Sequence, residues 1–162
     1  MGKAFAVSVN TAEIDALFDG LESDVTSAAR PAANAMAWYC QQEVLKLVSA
    51  PHMKTVTGNL KSSIYRAFDQ KSAPGKPSYA ISWNHRKAPH GHLVEFGHLM
   101  RYEVSYDPKT KRFTTHKDKP LATPKQVGAR PFIRPVANKF AEVQAYGVAR
   151  FWQVLEQRGV VK

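Results

Sequence analysis

The densest grouping of chemically able side chains is His90-Gly91-His92-Leu93-Val94-Glu95-Phe96-Gly97-His98, which puts three imidazoles and one carboxylate within nine residues. Imidazole nitrogen and carboxylate oxygen are ligand types that zinc accepts, and a metal-activated water there would make the chain a hydrolase. On a helix, Glu95 shares a face with His92 and with His98, three residues away on either side. Gly91 and Gly97 argue against one continuous helix through both ends, and the spacing matches neither H-E-x-x-H nor a cysteine-histidine framework. Satisfied or solvent-exposed histidines are the simpler account. No metal, cofactor or catalytic residue is therefore expected.

Nucleophilic chemistry has no better handle. The single cysteine, Cys40, falls mid-helix among apolar and alanine positions, where a thiol packs as a small hydrophobe with no adjacent base to activate it. The chain contains no G-x-S-x-G elbow, no G-x-x-x-x-G-K-[ST] loop and no G-x-G-x-x-G after a strand. An enzyme is not expected.

Charge offers a different chemistry. The chain carries a formal net charge of +10, unevenly spread. Residues 1–50 hold 3 Lys/Arg against 6 Asp/Glu, a net of −3, and residues 51–162 hold 20 against 7, a net of +13. Between positions 101 and 130, Lys109, Lys111, Arg112, Lys117, Lys119 and Lys125 are interleaved with Tyr102, Tyr106 and Phe113. Neutralising phosphates needs no base sequence, so this stretch suits either non-specific contact with DNA or docking on an acidic protein surface.

The elements that carry these residues follow from hydrophobic period and punctuation. At 162 residues the chain fits one domain that needs no metal or disulfide to hold its core. A lone thiol suits a reducing cytoplasm, no run approaches a membrane span, and the apolar start is too short for a signal peptide. Residues 3–9 read as an edge strand or a partner-docking arm. Asn10 or Thr11 can cap a short helix over residues 12–21. A longer helix follows over about 24–49, on the period of Val25, Ala29, Ala32, Met36, Cys40, Val44 and Leu47, with a break expected near Arg30 because Pro31 follows. The pair Ala50-Pro51 ends it.

Downstream, a turn at Gly58 leads into a strand ending near Gln70, paired antiparallel with residues 78–84, where Tyr79, Ile81 and Trp83 alternate. Residues 90–96 suit one or two helical turns ended by Gly97. Residues 100–106 and 112–116 suit a hairpin around Asp107-Pro108-Lys109-Thr110, and 117–130 reads as an exposed loop. A final helix starts near Phe132 or Pro135 and runs to about Gln157, with Gly159 beyond it. The fold class is α+β: an antiparallel sheet of about four strands against a long N-terminal helix and a C-terminal helix, with an extended basic hairpin.

Three segments in this order resemble the tail-completion or neck proteins of long-tailed bacteriophages, relatives of the lambda tail protein Z. They are Ala50-Pro51 followed by Thr57-Gly58-Asn59-Leu60-Lys61-Ser62-Ser63-Ile64; an apolar strand followed by Val94-Glu95-Phe96-Gly97; and Arg130-Pro131-Phe132-Ile133-Arg134-Pro135 leading into the last helix. They frame residues 50–140, and each is short, so the set carries the resemblance. The long basic insert over residues 100–128 departs from it, because such sequences pass quickly from the E-F-G element to the R-P-F element.

The resemblance implies a structural virion protein made in the host cytoplasm. It would form a six-fold homo-oligomeric ring around the DNA channel, between the tail terminator and the head connector or stopper proteins, with no membrane partner. It assigns Thr57, Gly58, Leu60, Ser63, Glu95, Phe96, Gly97, Arg130, Pro131, Phe132, Arg134 and Pro135 to subunit contacts or to the structural motif. Glu95 is then an ion-pair or cap partner of Arg130 or Arg134. The rival expectations are a stand-alone non-sequence-specific nucleic-acid-binding protein and, behind it, a metal-dependent hydrolase using His90, His92, Glu95 and His98.

Overall fold

The computed structural model describes residues 12–53, 58–73, 75–110 and 112–161. The expected N-terminal arm and its cap at Asn10 or Thr11 lie outside the described residues, as do Thr57 and Lys111. The chain runs through a long helix α1 (Ala12–Val48), a 3-10 turn (Pro51–Met53), a short helix α2 (Asn59–Ser63), strands β1 (Ile64–Phe68) and β2 (Tyr79–Trp83), and a short helix α3 (Gly91–Phe96). Strands β3 (His98–Asp107) and β4 (Arg112–Val127) follow, then a second 3-10 turn (Arg134–Lys139) and helix α4 (Phe140–Gln157). The architecture is α+β. Its strands stand as two separate antiparallel pairs, β1 with β2 and β3 with β4. Among the described residues, no helix is long and apolar enough to cross a membrane.

Two expectations from the sequence need correcting. Where a short helix over residues 12–21, a second over about 24–49 and a break near Arg30 are predicted, α1 is one helix of 37 residues with Pro31 inside it, about 55 Å long at 1.5 Å per residue. Proline forfeits one backbone hydrogen bond there, but tertiary packing spans the position. Ala28 is buried against Val154 and Leu155 of α4 on one side of it. On the other side Gly147 of α4 approaches Met36 so closely that a Cβ at 147 would lie 2.4 Å from Met36 Cγ. The second correction concerns residues 117–127, which are not a loop but the continuation of β4. They pair back to the base of β3 through Met100↔Lys125, Leu99↔Gln126 and His98↔Val127.

The main core gathers α1, α2, the first strand pair and the C-terminal turn. Val44, Val48, Leu60, Ile64, Trp83, Ala88, Phe132 and Val136 form one buried cluster. The β1–β2 register, Ile64↔Trp83 through Phe68↔Tyr79, puts Ile64 and Trp83 opposite each other, and both are buried. On the other face of this pair Tyr65 is exposed, which is the alternation of a sheet wetted on one side. The second pair differs. Every residue of β3 and β4 is exposed or half-buried, and neither strand packs extensively on any other element. The ten residues of β3, at roughly 3.3 Å each, carry this ribbon about 30 Å outward.

Candidate functional site

The most highly organised polar group is the carboxylate of Glu95, on α3. It is 2% exposed and is caught by the turn that follows β4. The Phe132 amide donates to Oε2 at 2.7 Å and the Ile133 amide to the same oxygen at 3.1 Å. Oε1 accepts from the Arg134 amide and from Arg134 Nε, both at 3.1 Å. Arg134 Nη2 in turn donates to the Glu95 carbonyl at 2.6 Å, and its guanidinium lies over the Phe96 ring, 4.9 Å from the centroid. Of the two candidate arginines, Arg134 is the partner. Arg130 joins by its backbone alone, its amide donating to Val94 O at 2.8 Å.

Burial pushes the Glu95 carboxyl up, but the three backbone amides and the guanidinium outweigh it and hold the group below the ordinary carboxylate range. An ionised carboxylate offers about four acceptor positions, and four donors occupy them. The chemistry this favours is the fixing of a backbone turn. A buried charge satisfied in this way gives neither a free base nor a free metal ligand.

The pieces around it are shaped for close approach. Phe132 is fully buried and meets the Trp83 ring edge-on, with centroids 5.6 Å apart. Trp83 lies against Gly91, where a Cβ would stand 2.2 Å from the indole Nε1. Gly97 has φ 73 and ψ 173, a backbone region essentially reserved for glycine, rather than the left-handed helical cap the sequence suggests. Its missing side chain is also needed for space, since a Cβ would lie 2.7 Å from the Val127 carbonyl and 2.8 Å from the Ala129 amide.

The remaining motif residues divide between interior and surface. Gly58, at φ 70, opens α2. Leu60 and Ser63 are buried, with Ser63 Oγ donating to Leu60 O at 2.7 Å and the Asn84 amide donating to Ser63 O at 3.0 Å. Phe96, Arg130 and Arg134 are exposed, while Pro131 and Pro135 are half-buried. The basic residues Lys109, Arg112, Lys117, Lys119 and Lys125 all lie exposed on the ribbon or its tip, far from Glu95 along the chain.

His90 and His92 are exposed and His98 is half-buried; among the described residues, no three His, Cys, Asp or Glu side chains converge on one point. Cys40 is half-buried beside the main core, and burial pushes its thiol up.

A second polar cluster, between α1 and the C-terminal region, has no sequence motif to announce it. Glu43 is buried and accepts from Lys46 Nζ at 2.5 Å and Lys139 Nζ at 2.6 Å. The hydrogen bonds from Lys139 and Lys46 hold its carboxyl below the usual range. Tyr39 donates to Glu142 Oε2 at 2.6 Å, which raises the phenol. The one available signal was an acidic residue within the apolar period of α1, one residue before Val44. Arg66 of β1 similarly reaches α1, donating to Gln41 Oε1 at 2.7 Å and Asn34 Oδ1 at 3.2 Å. These contacts tie the helices and the first strand pair together.

No protein-family model, curated protein or solved structure matches this chain.

Proposed function

We propose that this chain is a non-catalytic assembly subunit of the neck or tail end of a long-tailed bacteriophage. The observation that carries the reading is the interlock at Glu95. Two of the motifs behind the resemblance, Val94-Glu95-Phe96-Gly97 and Arg130-Pro131-Phe132-Ile133-Arg134-Pro135, close on each other as one unit through the bonds from residues 132–134 to the carboxylate. A polar group so fully consumed by its own backbone supports a scaffold rather than a reactive centre. The stiffened turn also presents Arg130, Arg134 and Phe96 outward, side chains suited to protein contacts.

In this reading the subunit forms a ring, six-fold by resemblance, between the tail terminator and the head connector or stopper, and does no chemistry. Deleting the gene from a phage that carries it is expected to leave DNA-filled heads and tails that fail to join, with infectivity restored by the wild-type gene in trans. Whole, infectious virions from the deletion would sink the reading, as would a substrate turnover lost on changing Glu95.

A further inference from the structure

We propose that the β3–β4 ribbon is an arm that docks on the N-terminal part of α1 in a second copy of this chain. The inference deepens the assembly reading and rests on it for its setting, but the docking argument stands on two surfaces of this molecule.

The first surface is the ribbon. Directly opposed residues of an antiparallel pair place their side chains on the same face. The pairs Val104↔Thr115 and Tyr106↔Phe113 therefore share one face, where the Tyr106 and Phe113 rings lie 4.8 Å apart. The intervening pairs, Glu103↔His116, Ser105↔Thr114 and Asp107↔Arg112, make the opposite face polar, and Ser105 Oγ meets His116 Nε2 at 2.8 Å. The apolar face is uncovered: Val104 is 43% exposed, Tyr106 40% and Phe113 61%. An isolated two-stranded hairpin is marginal in water unless such a face is packed on something, and the body of the fold does not supply the cover. Over residues 98–127 the sequence adds seven Lys/Arg against three Asp/Glu.

The second surface has the complementary character. Residues 19–27 carry three acidic residues, Asp19, Glu22 and Asp24, and no basic one. Asp19 and Glu22 line a groove along α1 with Ser23, Thr26 and Ser27. Leu21 and Val25, one helical turn apart on the flank of α1 that lies between Glu22 and Asp24, are exposed at 39% and 47%. An apolar stripe bordered by acid therefore faces outward on α1, and an apolar stripe bordered by base faces outward on the ribbon. The exposed side of α4 is also apolar, but its two glutamates and one arginine give it little charge to select the ribbon. Double-stranded DNA would satisfy the lysines and leave Val104, Tyr106 and Phe113 wet, so the observations favour a protein partner. Because the two patches differ, the contact runs head-to-tail into a ring or a filament, unless two copies exchange arms reciprocally and close as a two-fold dimer.

The test uses the full chain and three variants with exposed substitutions: an arm variant (Lys109→Glu with Lys117→Glu), a helix variant (Asp19→Lys with Glu22→Lys), and the chain carrying all four changes. Sedimentation velocity over a range of concentrations at low salt should find the wild type self-associated. Each two-site variant should weaken association by about tenfold or more, since like charges then face each other. The four-site chain, whose charges are exchanged rather than merely opposed, should regain it. Circular dichroism checks that each variant is folded. A wild type that stays monomeric, or a loss the four-site chain does not recover, overturns the docking. So does an arm variant that loses binding to a random-sequence DNA duplex while self-association is unchanged. A ring that forms and ignores all the variants overturns the docking alone and leaves the assembly reading standing.

Discussion

At Glu95 the cost of taking a carboxylate out of water is met by donors that the chain can supply only in one conformation. An unpaired buried charge costs several kcal/mol, and removing its partner group typically costs about 3–5 kcal/mol. Glu95→Gln keeps the size but replaces one acceptor oxygen with an amide nitrogen that must point at other N–H donors. We expect this variant to lose about 1–3 kcal/mol of unfolding free energy in a denaturant titration, because it leaves buried amide donors unsatisfied while the surviving charge, on Arg134, is 55% exposed. The pH dependence has a definite sign. The folded-state pKa of Glu95 is depressed relative to about 4.3 in an unfolded chain. Its contribution is therefore complete above that value and is lost as pH falls through the folded pKa. The wild type should lose stability on acidification below about pH 4.3 more steeply than Glu95→Gln does. Equal slopes in the two proteins would mean that the cradle does not depress the carboxyl, and a wild type that gains on acidification relative to the variant would mean that the group is held neutral.

At the scale of the element, α1 and β4 show what a sequence pattern can and cannot convey. The apolar period of α1 was legible from Ala29 to Leu47, while Val25 at its start is exposed; also legible were the antiparallel pairing of Tyr79, Ile81 and Trp83 with the strand after Gly58 and the helix before Gly159. Each of these buries one face, and burial is what writes a period into a sequence. Residues 117–127 bury neither face, so nothing marked them as strand. Pro120 and Pro124 read as loop residues, although a strand in a two-stranded ribbon has an unpaired edge where proline does no harm. The Glu95–Arg134 pairing was legible as a choice between two arginines. The amide donors of Phe132 and Ile133 were not, because every residue has an amide and only the fold aims it.

Pro31 misleads in the other direction, since in the sequence it marks a break. Proline inside a helix costs about 3 kcal/mol, and α1 absorbs this because Ala28 and Met36 pack on α4 to either side. Pro31→Ala should therefore recover a missing hydrogen bond. Allowing for about 0.4–1 kcal/mol of added unfolded-state freedom, we expect a gain of about 2 kcal/mol and a higher thermal midpoint. A lower midpoint would mean that the proline ring itself holds a needed contact.

Across the whole molecule, stability and outreach are assigned to different parts. The main core draws on α1, α2, β1, β2 and the turn after β4, whereas the ribbon has no extensive contact with another described element and meets the body at its root. There Gly97 passes under Val127 and Ala129 and the Arg130 amide holds Val94 O. The ribbon should therefore be removable without unfolding the body. Met100 and Lys125 are register partners, so a two-residue Asn-Gly turn joining them closes the hairpin with geometry such turns favour. The shortened chain keeps the root, the Glu95 cradle and both helices. Its thermal midpoint should stay within about 2–4 °C of the wild type, the shift that roughly 1 kcal/mol produces in a domain of about 150 residues. Cooperative unfolding should also persist. A collapse of the transition would show that β3 and β4 belong to the folding unit, and would turn the exposed ribbon from an arm into a structural wall.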